Sequence, residues 1–412
     1  MPKRRPIPRR RRRLCYLTGG ASPPAVAGRR CRWESLPSAA TKGCRRESPI
    51  MLTCRRWSQT IPCLTAVVLV ARSFGLSWLG AAEPSPAENA HDVAGPDWVQ
   101  VTESAAWQAR DSQGEVVFND RMWIFGGWFN SYEAPPRDVY SSPDGRTWTR
   151  VCAEAPWKHS DLSMTLVFRD RMWLMGGWYN GRLPGHSAGN EVWYSTDGAH
   201  WEQATRQAAW SPRLAAAVVE FRGKMWLLGG TENYYFGDQR SLKNDVWFSE
   251  DGRHWQRATE HAAWKPRAYH QAVVLGDYLY VLGGGNYVPQ YQAYNDVWRS
   301  ADGVRWEQVT DQAPWHPRIW FSAVAYRDHL WVLGGWSNDP SRNWGDVWFS
   351  KDGTSWRRLV SRTIWKERHE HSAFVFRDKL WVAGGHARPL TNDVWSLELP
   401  ADFFQRLDGP AQ

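Results

Sequence analysis

Six copies of one tryptophan-marked unit, about fifty residues apart and without helical periodicity, predict an all-β chain. The expected architecture is a six-bladed β-propeller with four antiparallel strands per blade, its ring closed by the N-terminal strand. Three observations carry that expectation. Double glycines begin at Gly126, Gly176, Gly229, Gly283, Gly334 and Gly384, giving spacings of 50, 53, 54, 51 and 50 residues. The units share one order of residue types: Trp-x-x-Arg, an apolar run, Met-Trp-x-x-Gly-Gly or a close variant, a variable loop, Asp-Val-Trp, then Ser-x-Asp-Gly-x-x-Trp. The last copy stops after Asp393-Val394-Trp395, and its missing piece stands at the front, where Asp97-Trp98-Val99-Gln100-Val101-Thr102 precedes Trp107. A strand supplied from the front leaves no bare sheet edge.

The segments follow in chain order. Residues 1–50 are rich in Arg and Pro and lack periodicity, as in Arg9 to Arg13, so they read as a disordered basic leader, with Met51 an alternative start. Residues 51–82 read as a signal peptide: Arg55 and Arg56 precede the apolar stretch Ile61 to Ala71, and small residues end at Ala82. A signal anchor is the alternative, against which Arg72 interrupts the apolar run. Export, to a periplasm or outside the cell, is therefore expected, with no stable membrane insertion after cleavage. Residues 83–96 read as a linker, 97–400 as the propeller and 401–412 as a tail. Phe403 falls where a strand-opening Trp is due, so the tail competes with the N-terminal strand for the last slot.

Charge and cysteine usage agree with this division. The formal net charge of +9 suggests a polyanionic partner, but residues 1–82 hold 17 of the 51 Lys and Arg and 2 of the 42 Asp and Glu, leaving 34 basic against 40 acidic residues elsewhere. No nucleic-acid partner is expected. Five of the six Cys lie in the leader and only Cys152 beyond it, so burial and not a disulfide must hold the body together.

Within a unit the first strand is the apolar run, for example Ala216 to Phe221 or Ser372 to Phe376, and the second carries Met-Trp up to the glycines. The third is Asp-Val-Trp-aromatic-Ser, and the fourth opens on the Trp after Asp-Gly, as in Trp255 to Thr259. Each Asp-Gly supplies the positive backbone angles of a tight hairpin. This repeat resembles the kelch repeat, and the resemblance spans residue 97 to about 400. Six blades behind an export signal resemble the exported kelch proteins of the N-acetylneuraminate epimerase group, a sialic-acid mutarotase, and more distantly the galactose-oxidase propeller. That resemblance implies a sugar ligand; copper oxidation is disfavoured because Cys152 sits on an outer strand.

Antiparallel strands put all the long loops on one face. Of thirty Trp, those recurring in nearly every unit read as packing between blades. Trp128, Trp178, Trp320, Trp336 and Trp344 recur on no ladder and gather on the long-loop face, as candidates for sugar stacking or a protein hot spot. Arg110, Arg267, Arg318 and Arg368, with Arg213, open the first strands; they are either structural or a ring of guanidiniums able to bind a carboxylate. Departures from the repeat supply the candidate catalysts. Glu115, His270, Glu370 and His371 lie on innermost strands, where acid and base could act at an anomeric centre, and Asp111 and Asp161 lie at the channel mouth. Hydrated polar groups or packing histidines are the bland alternative. His369 and His371 lack an evident third ligand, so no metal is expected, and no cofactor. Gly185-His186-Ser187-Ala188-Gly189 matches a hydrolase pattern without its following helix, so a serine hydrolase is disfavoured. The expected function is binding of a carbohydrate on the long-loop face, with mutarotase-like isomerisation the first enzymatic reading. The alternative is a non-catalytic module for an extracytoplasmic protein.

Overall fold

The computed structural model describes residues 92–408 apart from 180, 184–186 and 236–237. The leader and signal-peptide segments, and part of the Gly-x-Ser-x-Gly pattern, lie outside the described residues. Six sheets follow one another as blades of four antiparallel strands, laid out in chain order in the first five. The innermost strands are Gly114–Phe118, Met164–Val167, Ala217–Phe221, Gln271–Leu275, Ser322–Tyr326 and Ser372–Phe376. In the sixth blade Val99–Thr102 pairs with Val394–Leu397, in the register Val99 opposite Ser396, so the N-terminal strand closes the ring.

Two departures from expectation concern the ends. Residues Asp92–Ala94, read as linker, add a parallel fifth strand to Trp356–Val360 of blade five, with Asp92 paired to the Arg358 guanidinium. The tail does not compete for the closing slot. It forms a short helix, Phe403–Asp408, whose Phe404 stacks on His329 at 3.8 Å and packs beside Trp331. Phe404 thus lies against Trp331 where, in blade six, Gly145 of an Asp-Gly turn lies against Trp381.

Tryptophan ladders hold neighbouring elements together. The Trp three positions before each first-strand Arg, or before Ser160 in blade two, meets a strand-opening Trp edge to face, in six pairs: Trp107–Trp148, Trp157–Trp201, Trp210–Trp255, Trp264–Trp306, Trp315–Trp356 and Trp365–Trp98. Centroids lie 5.8–6.1 Å apart, the favoured geometry of aromatic quadrupoles. The second-strand Trp donates to the carbonyl five residues back, as Trp123 does to Phe118, and lies against the next blade's Asp-Gly turn. In that turn Ser142 Oγ accepts from the Gly145 amide at 2.8 Å, and Asp144 Oδ1 accepts from the Arg146 and Thr147 amides. Gly145 is required twice over: its φ is +72°, and a Cβ would sit 2.2 Å from the Trp381 ring.

Candidate functional site

The arginines that open the first strands belong to the scaffold. Arg110 gives Asp138 a bidentate pair at 2.5 and 2.9 Å, and its remaining donors reach the carbonyls of Gly126 and Gln108. Arg267 with Asp296, Arg318 with Asp346 and Arg368 with Asp393 repeat the arrangement, as does Arg213 with Asp245. Each guanidinium is fully buried and its fork is spent on the Asp of its own Asp-Val-Trp, or Asp-Val-Tyr in blade one, so none of these arginines is open to a ligand carboxylate. In blade two both partners change together: Ser160 replaces the Arg, Glu191 replaces the Asp, and His159 Nδ1 meets Glu191 Oε1 at 2.5 Å.

The residues after each Arg build the axis of the molecule in two tiers. Ser112, Leu162, Ala215, Tyr269, Trp320 and Glu370, two positions on, all adopt φ between 51° and 59°. Backbone bonds link them from blade to blade, as from the Leu162 amide to the Ser112 carbonyl and from the Glu370 amide to the Trp320 carbonyl. Left-handed backbone at Leu, Tyr and Trp is unfavourable, so surrounding packing must impose it. This collar separates a mouth cavity of 230 Å³ on the long-loop side from a tunnel segment of 170 Å³ below it.

One position after the Arg, the blades carry Asp111, Asp161, Leu214, Ala268, Ile319 and His369. Each bridges to a residue beyond the double glycine: Trp128, Trp178, Thr231, Gly285, Trp336 and His386. Half of this upper ring is polar and half apolar. Over the apolar half, Tyr234, Tyr235, Tyr287, Trp320 and Trp336 form one aromatic wall of the mouth. Asp111, Asp161, Glu370, His369 and His386 form the facing wall, with Arg388 beside it, while Arg182 lies over the Tyr235 ring at 4.6 Å. Trp320 joins the two, lying 4.7 Å from Tyr287 and stacked on His369 at 5.1 Å.

The carboxyls of the polar wall are desolvated and crowded. Burial pushes Asp161 up to about 7 against the Ser112 hydroxyl, and among the described residues neither of its oxygens meets full hydrogen-bond geometry with a partner. Burial, and then the charge of Asp161, raise Asp111 well above the carboxylate range, against a 3.2 Å hydrogen bond from Ser112. Burial also raises Glu370, helped by Asp111 and Asp161, and its Oε1 has no hydrogen-bond partner among the described residues. Groups so placed hold protons near neutral pH and both donate and accept hydrogen bonds.

The other candidate catalysts lie lower. Glu115, His270 and His371 line the tunnel beneath the collar, where Glu370 also reaches. Burial pushes Glu115 up to about 8, although its side chain still borders the tunnel space. The two histidines do not suit acid–base work. His270 packs on Trp264 at 5.7 Å and His371 on Trp365 at 5.4 Å, each with its Cε1 edge against a glycine of the preceding blade. Burial, and then Arg267 and Arg368 respectively, lower both to about 3, so both are neutral fillers of a seam.

The non-ladder tryptophans divide as well. Trp128 and Trp336 line the mouth with Trp320. Trp178 is buried behind Tyr234 and Tyr235, with its Nε1 on the Gly181 carbonyl at 2.8 Å. Trp344 stands apart, stacked on His316 at 4.8 Å between Arg318 and Arg342. The residue that sequence reasoning missed is His386. Its signal was the position after the double glycine, where three other blades carry Trp.

Comparisons with known proteins agree with this architecture. A family model described as the KLHDC2/KLHL20/DRC7 Kelch-repeats domain matches residues 90–284 and 237–408. The chain is 31% identical over 176 residues to the dynein alpha chain of the flagellar outer arm of Chlamydomonas reinhardtii, covering 38% of this chain and 4% of that one. It is 27% identical over 127 residues to beta-scruin of Limulus polyphemus, covering 30% of this chain and 13% of that one. The chain thus spans a small fraction of either relative. The solved structure of YjhT superposes with a TM-score of 0.57 at 13% identity, over 72% of this chain and 96% of the other, a likeness of fold alone.

Proposed function

Since the chain belongs to the kelch-repeat family, whose propellers are ligand-binding or protein-interaction modules, we propose that its mouth cavity binds a single carbohydrate ring. The observation that carries this reading is the division of the cavity into an aromatic wall and a facing wall of three buried carboxyls. A sugar ring has that polarity: an apolar face of C–H bonds suits aromatic stacking, and equatorial hydroxyls suit carboxyls that both donate and accept. The volume of 230 Å³ lies below the roughly 300–1,000 Å³ of sites for drug-sized ligands, which favours one ring over an oligosaccharide. Arg182 and Arg388 at the rim fit an acidic sugar.

Mutarotase-like chemistry is the finer part of the proposal. Ring opening needs a proton delivered to the ring oxygen and one removed from the anomeric hydroxyl, and Asp161 and Glu370 border the same cavity. Export through residues 51–82 belongs to the same reading, since it would bring the mouth into contact with extracytoplasmic sugars.

A monosaccharide screen on the full chain tests the proposal, with neutral and carboxylated sugars and the variants Trp128→Ala and Asp161→Asn. Binding by the parent chain that falls at least tenfold in each variant, at unchanged melting temperature, is the expected result. No saturable binding of any sugar would move the search to protein partners.

A further inference from the structure

We infer that the polar wall of the mouth is a divalent metal site, with Asp111, His369 and His386 as its ligands and a first-row transition ion such as Zn²⁺ as its occupant. One ligand atom from each of the three lies within 4.8 Å of the others. The topology makes the cluster. His369 and His386 face each other across an antiparallel bridge, with rings 4.9 Å apart, and Asp111 stands at the same position of the adjoining blade. His386 Nδ1 lies 3.7 Å from Asp111 Oδ2.

Hydrogen bonding fixes which atom of His369 faces the site. Asn343 Nδ2 donates to the carbonyls of His386 at 2.7 Å and Glu367 at 3.3 Å, so its Oδ1 is the atom turned toward His369. That oxygen can only accept, so His369 Nδ1, 2.7 Å away, carries the proton. The Nε2 lone pair is then free and points to the cavity, 3.5 Å from Glu370 Oε2. A carbonyl oxygen that holds the proton of one ring nitrogen, leaving the other nitrogen as the ligand, is the usual support of a metal-bound imidazole. A lone pair facing a carboxyl oxygen needs a proton or a cation between them.

Asp161 is 1% exposed, and among the described residues neither of its oxygens, nor Glu370 Oε1, meets full hydrogen-bond geometry with a partner. The wall thus gathers three carboxyls, and among the described residues the arginines that line the cavity are Arg182 and Arg388. Arg388 opposes a cation, and the excess of carboxyls favours one. Two imidazoles with one carboxylate suit Zn²⁺ and its first-row neighbours and disfavour Ca²⁺ and Mg²⁺, which prefer oxygen alone. Zn–ligand bonds near 2.0–2.2 Å require the three donors to draw together. His386, one-third exposed, has room to turn. The remaining coordination positions open into the cavity. The site stands on this geometry and does not depend on the carbohydrate reading.

The full chain, stripped with a chelator and with its thiols blocked by alkylation, would be titrated with Zn²⁺ by calorimetry. The expected result is one saturable equivalent per chain that weakens at least tenfold in His386→Ala and in Asp111→Asn and persists in His200→Ala, a change at an exposed histidine. Co²⁺ absorption reports ligation directly: d–d bands in the parent chain should be lost in His386→Ala while its circular dichroism stays unchanged. Equal binding by parent and His386→Ala chains overturns the site, as does parent affinity weaker than about 0.1 mM. Running the sugar screen with and without Zn²⁺ separates failure of the metal site from failure of the carbohydrate reading.

Discussion

At the scale of single residues, the molecule uses charge in two ways, and each has a measurable consequence. Arg267 is fully buried, and its fork is matched by Asp296 at 2.6 and 2.8 Å. Arg267→Met strands the carboxylate and should cost about 3–5 kcal/mol in urea unfolding, whereas Arg267→Met with Asp296→Leu should recover most of that loss. A double variant no better than the single would contradict the reading. Glu115 behaves oppositely, since among the described residues its hydrogen-bond partners are neutral, the Ser372 hydroxyl and the Ala373 backbone. Unfolded, its carboxyl ionises near 4.5; folded, it holds its proton up to about 8. Folding must take up a proton between those values, so this residue lowers stability progressively as pH rises from about 4.5 to 8. Glu115→Gln should match the parent chain at pH 4 and exceed it at pH 8.5 by on the order of 1–2 kcal/mol, below the full shift because tunnel water screens the group. Chemical denaturation at the two pH values reads the difference. Repetition also decided what was legible at this scale. Arg110 and its equivalents recur, and proved to be scaffold; Asp111, Asp161 and Glu370 break the pattern, and stand in the mouth. His270 and His371 break it too, but pack into seams, because a residue's offset from the Arg does not tell whether its side chain turns toward the axis or toward a neighbouring tryptophan.

At the scale of elements, hairpin turns in two places separate backbone strain from packing. Gly145, between the third and fourth strands of blade one, and Gly223, between the first and second strands of blade three, share φ of +72°, but a Cβ at Gly145 would strike Trp381 at 2.2 Å while one at Gly223 would meet nothing within 4 Å. Gly223→Ala should cost only the left-handed backbone penalty, about 1 kcal/mol. Gly145→Ala should cost at least about 2 kcal/mol more, since the indole it displaces is packed between blades. Thermal melts of the two variants measure the packing share directly, and equal losses would show that the turn alone matters. Strand identities were legible because their signals are local: alternating apolar runs, double glycines and Asp-Gly pairs. The parallel strand Asp92–Ala94 was not, since three residues carry no periodicity and are ordered by the neighbour they find. The C-terminal helix was hidden for a similar reason: Phe403 and Phe404 look like strand residues until the open surface beside Trp331 is known.

At the scale of the whole molecule, the closed ring was legible because the sixth copy lacked a segment that the front of the chain supplied. The asymmetry of the mouth was harder to read. It depends on which three neighbouring blades carry Asp111, Asp161 and His369 and which three carry Leu214, Ala268 and Ile319, and becomes visible only when six copies are laid around one axis. His386 then falls into place beside His369, though in the linear chain it is one histidine where other blades have tryptophan. The closure itself has a kinetic consequence. Ser104 and Asn392, hydrogen-bonded in the finished blade, are separated by 288 positions, so the joining contact is among the most non-local the chain can make. On a ribosome the closing strand would emerge first and wait for its partner through the synthesis of all the other blades. Such late, long-range pairing is slow, and until it happens Val394–Leu397 presents an unpaired edge to other nascent chains.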